Sequence, residues 1–174
     1  MPTAVVGVTV NQKPNFITVA HVGILTAEAP FMISLGLDKG HYSSAGIKEA
    51  KTFSVNLMSV DEMVATDYVG TESGNSCDKS QVFEVFTGEL ETAPIIKSSP
   101  LSVECKLYDI YDLPNGEVVI GEIVATYADQ SVLEDNKVDI SKVNPLLFDM
   151  SGVQYLSMGQ KVGNAWGEGN KYNK

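Results

Sequence analysis

The chain has 174 residues, of which 20% are charged and 44% hydrophobic, a composition too apolar for a disordered chain and suited to one folded domain. Its 22 acidic and 12 basic side chains give a net charge of −10, which would repel nucleic acid and anionic membrane surfaces. No apolar run approaches the roughly 20 residues of a membrane helix, and no basic leader opens the sequence. We therefore expect a soluble, cytoplasmic, single-domain protein over residues 1–174, with a mobile tail from about residue 160.

All the basic residues are lysines, because the chain contains no arginine. Since no guanidinium fork is available, a phosphate group would be held by lysine, hydroxyl, imidazole or backbone N–H groups. The two cysteines, Cys77 and Cys105, are too few for a disulfide scaffold or a four-ligand zinc site. We interpret both as reduced, inert thiols.

The first third of the chain is rich in Val, Ile, Phe and Thr, which favour half-buried strands. The pattern changes at Ser43, where a hydroxyl cap is followed by helix formers and predicts a short helix before strand alternation returns. The strands predicted in this region span residues 4–10, 15–22, 31–37 and 52–58.

Two further short helices are predicted before the middle of the chain. Ser59 lies three residues before Glu62, the spacing of a capping box, which predicts a helix over residues 60–69. Apolar residues within 78–86 recur on one helical face before Gly88, which predicts a third helix.

The strongest turn signal is Asn115-Gly116, which lies between the strand-like runs 101–111 and 117–127 and predicts an antiparallel hairpin. Residues 129–144 are polar and are predicted as a loop. Strands with short helices inserted between them, without regular strand–helix alternation, favour an antiparallel barrel over a doubly wound sheet.

Several enzyme signatures are missing from the sequence. It has no phosphate-binding loop, dinucleotide glycine fingerprint, nucleophile elbow or histidine pair at metal-ligand spacing. Metal, acyl-transfer and nucleotide-hydrolysis chemistry are therefore disfavoured, and no metal site is predicted. His21 and His41 are the only histidines, and composition alone favours a structural role for each.

A series of segments in a fixed order resembles the flavin reductase-like, or flavoredoxin, family. Together these segments cover nearly the whole chain, although no single one is specific. They are NFITVAHVGIL (15–25), APFMISLGL (29–37), HYSSAGI (41–47), FSVNL (53–57), ATDYVGTESG (65–74), DK (78–79), VECKLYDI (103–110) and VIGEIVA (119–125).

The resemblance implies a mainly β fold with inserted short helices, an FMN-binding split β-barrel of Greek-key type. It also implies a homodimer, with FMN, tightly bound or exchangeable, in a groove near the dimer interface. The cofactor-binding residues implied by position are Asn15, Thr18, Ala20 and His21 on the flavin strand, His41, Tyr42, Ser43 and Ser44 in the phosphate turn, and Asp78 and Lys79 beyond them.

The chemistry of the predicted phosphate turn agrees with the resemblance. Ser43 and Ser44 precede a predicted helix, whose first N–H groups and dipole favour an anion. The alternative is that the serines only cap the helix. Lys79 is expected either to add a point charge beside the phosphate or to be a solvated lysine in the first turn of the third helix.

The sequence also departs from the family pattern. Relatives commonly carry arginine at the positions of Asp38, His41 and Asn75, and a bulky aromatic residue at that of His21. The resemblance therefore implies a phosphate site that is weaker, or more sensitive to pH, than is usual in the family.

The implied activity is that of an NAD(P)H-dependent FMN reductase, which passes electrons from nicotinamide through FMN to an acceptor. No residue is predicted to be an essential catalytic acid or base. One alternative is a flavoredoxin-type carrier that exchanges electrons with a redox protein partner. Another is a barrel without flavin that holds a different small ligand, which the missing arginines favour.

Overall fold

The computed structural model describes residues 1–172 and is mainly β. Single 3₁₀ turns lie at Val60–Glu62, Gln130–Val132 and Glu168–Lys171. The strands and helices in chain order are β1 (Ala4–Val10), β2 (Lys13–Val19), β3 (Val22–Ile24), β4 (Met32–Leu37), α1 (Tyr42–Ala50), β5 (Thr52–Leu57), α2 (Met63–Thr71), β6 (Val85–Phe86), β7 (Ile95–Ile96), β8 (Leu101–Leu113), β9 (Gly116–Ala128), β10 (Leu133–Glu134), β11 (Lys137–Val138), α3 (Ile140–Val143), β12 (Leu147–Asp149) and β13 (Gln154–Leu156).

Seven of the strands form one antiparallel sheet in the order β2-β1-β5-β8-β9-β4-β3. The sheet curls into a half-barrel, so that β2 and β4, well separated in this order, come into contact. The prediction of a mainly β split barrel with inserted short helices is confirmed. The hairpin prediction is also confirmed, because β8 and β9 pair antiparallel on either side of Pro114 and Asn115.

Both faces of β1 are buried, which explains its nearly continuous apolar sequence. Successive side chains of a strand point to opposite faces, so Val6 and Val8 enter the barrel interior while Val5 faces outward. The outward face packs against a second cluster that includes Phe16 and Phe83, whose rings meet edge to face with centroids 5.2 Å apart. This second cluster supports the surface beneath α2.

Helix α1 lies directly on β1 because Gly46 has no side chain. A Cβ built on Gly46 would stand 2.5 Å from Val10 Cγ2 and 3.3 Å from the Val8 methyl carbons. Such contacts are shorter than real Cβ contacts, so a larger residue would push the helix outward. The close approach holds the middle of α1 against β1.

The second predicted helix is observed with shifted limits. A 3₁₀ turn over Val60–Glu62 leads into α2, and the helix runs through Gly70 to Thr71 instead of ending before it. Ser59 occupies the cap position of the turn but its side chain makes no capping hydrogen bond. The capping-box spacing therefore predicts where the helical segment begins, but the side-chain hydrogen bond that it implies is not formed.

The third predicted helix, over residues 78–86, is wrong. Asp78 Oδ1 accepts a hydrogen bond from Ser80 N over 2.9 Å, and such local turns compete with helix formation. Further on, β6 pairs with β7, so Val85 and Phe86 are extended. The apolar spacing that suggested a helix arises because Phe83 is buried in the second cluster.

The region predicted as a polar loop, residues 129–144, is more ordered than expected. It contains the small hairpin β10–β11 and the single-turn helix α3, with Asp129 and Asp139 each accepting a backbone hydrogen bond at a cap. No helix among residues 1–172 is long and apolar enough to cross a membrane.

The described residues of the predicted tail are exposed. Val162 and Trp166 are fully exposed, and Trp166 is the one tryptophan of the sequence. The last regular turn there is the 3₁₀ turn at Glu168–Lys171. The mobility of this segment stays a prediction, and its last two residues lie outside the described part of the chain.

Candidate functional site

Two clefts meet where α1 begins, and Tyr42, Gly74 and Lys79 line both of them. We call the larger one, of about 400 Å³, the Lys13 cleft, and the smaller one, of about 230 Å³, the His41 cleft. The other residues used below are Asn11, Lys13, Asn15, Cys77 and Asp78 for the Lys13 cleft, and His41, Ser43 and Ser73 for the His41 cleft.

The capping alternative for the two serines is wrong. His41 is the N-cap of α1, with extended backbone, so Ser43 and Ser44 lie inside the first helical turn. The backbone N–H groups of Ser44 and Ala45 point to the carbonyl of His41. The N–H groups of Tyr42 and Ser43 precede these and have no partner within the helix, as is usual at a helix start.

Ser43 is buried beside Asn15 of β2. Asn15 Nδ2 donates to Ser43 Oγ over 2.7 Å, and the two residues are 5% and 2% exposed, respectively. The Ser43 hydroxyl is thus an acceptor in this bond and keeps its own hydrogen. Among residues 1–172 that hydrogen has no acceptor, although Ser43 lines the His41 cleft.

Ser44 faces a different environment. Its hydroxyl donates to Glu117 Oε1, and Lys48 Nζ lies 2.6 Å from the other carboxylate oxygen of Glu117. The Glu117 side chain is fully buried. Ser44 therefore ties α1 to β9 and lies outside the two clefts, whereas Ser43 faces one of them.

The Lys79 ammonium group is buried at the junction of the clefts, which corrects the prediction of a solvated lysine in a helical turn. Nζ donates to the carbonyl oxygens of Phe16 and Val69 over 2.9 and 2.8 Å. Lys79 is 4% exposed, and burial lowers the pKa of its ammonium group by disfavouring the charged form. An ammonium group has three hydrogens, so one donor remains for a ligand.

His41 closes the other end of its cleft. Its Nδ1 atom is buried and has no hydrogen-bond partner within the described residues, and buried polar atoms are nearly always paired. The Nε2 atom lies 3.8 Å from Asp38 Oδ2. An orphaned ring nitrogen beside a helix start is consistent with a ligand at this position.

The loop after α2 closes on the ring of Tyr42. A Cβ built on Gly74 would lie 2.4 Å from Tyr42 Cδ1 and 2.6 Å from Asn15 Oδ1, so only glycine fits. On the other side, Asn11 Nδ2 donates to the Tyr42 hydroxyl over 3.1 Å. The sequence predicted no individual role for Asn11 or Gly74. Gly74 appeared there only at the end of the segment ATDYVGTESG (65–74).

Asp78 lies on the rim of the Lys13 cleft and is engaged there. Lys13 Nζ is 2.7 Å from Asp78 Oδ2, with both side chains more than half exposed. Hydrogen bonds from Lys13 and Ser80 hold the pKa of the Asp78 carboxyl well below its usual value. Its negative charge is thereby largely balanced, which limits its repulsion of an anion in the neighbouring cleft.

Besides Ser44, three further predicted site residues lie away from both clefts. Thr18 donates its hydroxyl hydrogen to the carbonyl of Thr66 in α2 and packs against Gly70. Ala20 follows the end of β2, and exposed His21 lines a separate depression at the tip of the β8–β9 hairpin. Contact of these three with a flavin stays a prediction.

The cysteines differ in their surroundings. Cys105 is fully buried in the barrel core, and burial raises the pKa of its thiol. Cys77 lines the Lys13 cleft, with its sulfur 4.0 Å from the Tyr68 hydroxyl. Within residues 1–172, no three His, Cys, Asp or Glu side chains are grouped to hold a metal ion.

The pattern of segments noted in the sequence corresponds to a described family. The family "Flavin reductase like domain" matches residues 1–157. The chain belongs to this flavin reductase-like family. No curated protein matches the chain.

Two solved structures of flavoredoxins agree with this placement, and a third structure shares the fold. Flavoredoxin from Methanosarcina acetivorans is 38% identical, with a TM-score of 0.94 over 97% of this chain and 90% of that one. Flavoredoxin of Desulfovibrio vulgaris (Miyazaki F) is 30% identical, with a TM-score of 0.88 over 97% and 92%. An FMN-binding protein from Thermus thermophilus, 21% identical with a TM-score of 0.81 over 94% and 89%, shares the fold.

Proposed function

We propose that this flavin reductase-like protein binds FMN and works as a flavin-dependent oxidoreductase, with the phosphate of FMN in the His41 cleft. The observation that carries the proposal is the set of unused hydrogen-bonding groups at the start of α1. The Ser43 hydroxyl hydrogen and His41 Nδ1 both lack partners among the described residues. A phosphate group supplies several acceptor oxygens, which suits a helix start.

The residues present fit a phosphate without arginine. Ser43, the first N–H groups of α1 and the third hydrogen of Lys79 offer donors, and the buried ammonium group offers a positive charge close to the cleft. Lys13 neutralises Asp78 on the neighbouring rim. In this proposal one lysine and a group of neutral donors hold the phosphate.

The flavin ring would supply the redox chemistry, since it accepts and releases electrons when bound. The chain's own contribution is to bind, orient and limit access to the cofactor. Tyr42, fixed between Asn11 and the Gly74 loop, holds the wall between the two clefts. The proposal requires no proton transfer by the side chains that line the clefts.

The test is the absorption spectrum of purified protein, followed by fluorescence titration of apoprotein with FMN and with riboflavin. We expect flavin absorption bands and a tighter complex with FMN, because only FMN carries the phosphate. His41→Gln should weaken FMN binding and leave riboflavin binding nearly unchanged, since the glutamine amide places no hydrogen-bonding atom at the Nδ1 position. Equal affinity of the wild type for the two ligands would contradict the phosphate assignment.

The electron donor defines two candidate activities. The favoured one is the NAD(P)H-dependent reduction of FMN. A carrier that exchanges electrons with a protein partner is favoured by one observation, that the two flavoredoxin structures described above are 38% and 30% identical to this chain. Anaerobic addition of NADH or NADPH decides between them: bleaching of the flavin supports the reductase, and bleaching by dithionite alone supports the carrier.

A further inference from the structure

The Ser43 hydroxyl accepts, and does not donate, in its one hydrogen bond to the described residues. Serine oxygen accepts and donates, and in a helix it often donates to a carbonyl one turn earlier. Here Asn15 Nδ2 occupies an acceptor position of Ser43 Oγ at 2.7 Å, and no carbonyl of the described residues receives its hydrogen. A neighbouring amide N–H directed at the oxygen leaves the hydroxyl hydrogen free for another acceptor.

The position of Asn15 is itself fixed by its surroundings. It lies on β2 opposite Val8 of β1, is 5% exposed, and has its Oδ1 atom against the Gly74 backbone. From this position Nδ2 reaches Ser43 Oγ. Ser43 is buried as well, with 2% of the residue exposed. Neither residue has freedom to exchange donor and acceptor roles by turning to solvent.

We propose that Asn15 is a positioning residue that makes Ser43 a dedicated hydrogen-bond donor to the anionic group of the ligand. This inference rests on the proposed phosphate site and adds the origin of its preference for an anion. A hydroxyl held as a donor stabilises an acceptor oxygen, whereas a freely rotating one would have to be oriented first. Asn15 acts through Ser43, without requiring contact with the ligand.

The experiment is a double-mutant cycle with Asn15→Ala, Ser43→Ala and the double variant. The quantity measured is the selectivity of apoprotein, the ratio of its riboflavin to its FMN dissociation constant. Each single change should lower this ratio by about tenfold or more, the worth of one hydrogen bond to a charged group. The double variant should be no less selective than Ser43→Ala, because coupled residues are not additive.

Thermal unfolding and riboflavin affinity separate positioning from a merely structural role. If Asn15→Ala does not fold, Asn15→Asp preserves the side-chain volume and reverses the hydrogen bond, since a carboxylate would capture the Ser43 hydrogen. Its selectivity should fall at least as far. The double variant Asn15→Asp/Ser43→Ala is the control. Its ratio of riboflavin to FMN dissociation constants, compared with that of Ser43→Ala, measures the repulsion between the new carboxylate and the phosphate.

The outcomes distinguish the two proposals. A wild type that shows no selectivity overturns the phosphate site and the role of Asn15 together. A selective wild type with an equally selective Asn15→Ala overturns only the role of Asn15. Independent, multiplying losses in the double variant would show that Asn15 does not act through Ser43, and equal weakening of FMN and riboflavin would return Asn15 to a structural role.

Discussion

The adjacent serines at the start of α1 have different partners, and we expect different consequences when each is replaced. Ser43→Ala removes a donor in the His41 cleft and should weaken FMN binding by about 1.5–3 kcal/mol, with little effect on riboflavin. Ser44→Ala removes a buried bond to the Glu117 carboxylate and should lower the free energy of unfolding by about 1–3 kcal/mol.

The measurements for this pair are ligand titration and urea unfolding. Each variant serves as the control for the other, since both lose one hydroxyl from the same helical turn. The expectation is contradicted if Ser44→Ala shows the loss specific to FMN, or if the Ser43 variant weakens the two flavins alike.

For single residues, the sequence predicted which side chains suit a phosphate better than it predicted their contacts. A serine pair before helix formers, a histidine and a lysine were recognisable as groups suited to phosphate. The partner of each serine hydroxyl could not be predicted, because Asn15 and Glu117 are far from the serines in sequence. The folding of the sheet brings β2 and β9 next to α1. Lys79 was unpredictable for the same reason, since its acceptors belong to β2 and α2.

Among the elements, the loop after α2 packs against Tyr42, which lines both clefts. Gly74→Ala would place a methyl group within 2.4 Å of the Tyr42 ring, so the loop or the ring must move. Because the loop is near the surface, we expect the strain to be relieved there, with a cost to stability of about 1–3 kcal/mol. FMN binding should fall at least tenfold, because Lys79 and Tyr42 line both clefts.

Calorimetry of the variant with and without FMN tests this expectation. Gly159→Ala is a matched control, since a Cβ there meets no atom within 4 Å and the residue lines neither cleft. Unchanged FMN affinity in Gly74→Ala would show that the loop yields without disturbing the site.

The elements themselves were predictable where the local signal and the packing agree. The β8–β9 hairpin follows from Asn115-Gly116 between two strand runs, and β1 follows from its β-branched residues. The helix predicted over 78–86 failed because burial of Phe83 in the second cluster gave an apolar spacing that periodicity alone cannot distinguish from a helix.

For the whole molecule, the described residues leave an apolar cleft of about 600 Å³ at one end of the barrel, lined by Val22, Ile24, Val55, Leu57, Leu101, Val103 and neighbouring residues. Ile24 is 67% exposed, and nearby Leu25 and Phe31 are also exposed. Apolar patches of this kind mark interaction surfaces. We therefore expect the homodimer implied by the sequence.

Light scattering should give about twice the chain mass of 18.7 kDa, and Ile24→Glu should shift the protein toward a monomer by placing a charge in the cleft. Lys106→Gln, which lowers the net charge by the same one unit at an exposed residue outside the lining of this cleft, controls for the change in charge. A wild-type monomer that binds one FMN per chain would contradict the expectation.

The fold as a whole was the most predictable level, since the order of segments along the chain already resembled one family and one barrel. The surface expected to form the homodimer could not be predicted from the sequence, because the apolar cleft is built from residues of β3, β5 and β8 that are far apart in the chain.

The exposed position of Trp166 has a spectroscopic consequence. The indole is fully hydrated in the native chain and lies outside both hydrophobic clusters, so its emission colour should change little when the barrel unfolds. Tryptophan emission would therefore miss the denaturation of this protein, which is better followed by the circular dichroism of the sheet. The same indole becomes a selective reporter of the tail, because a blue shift would arise only when something covers residue 166.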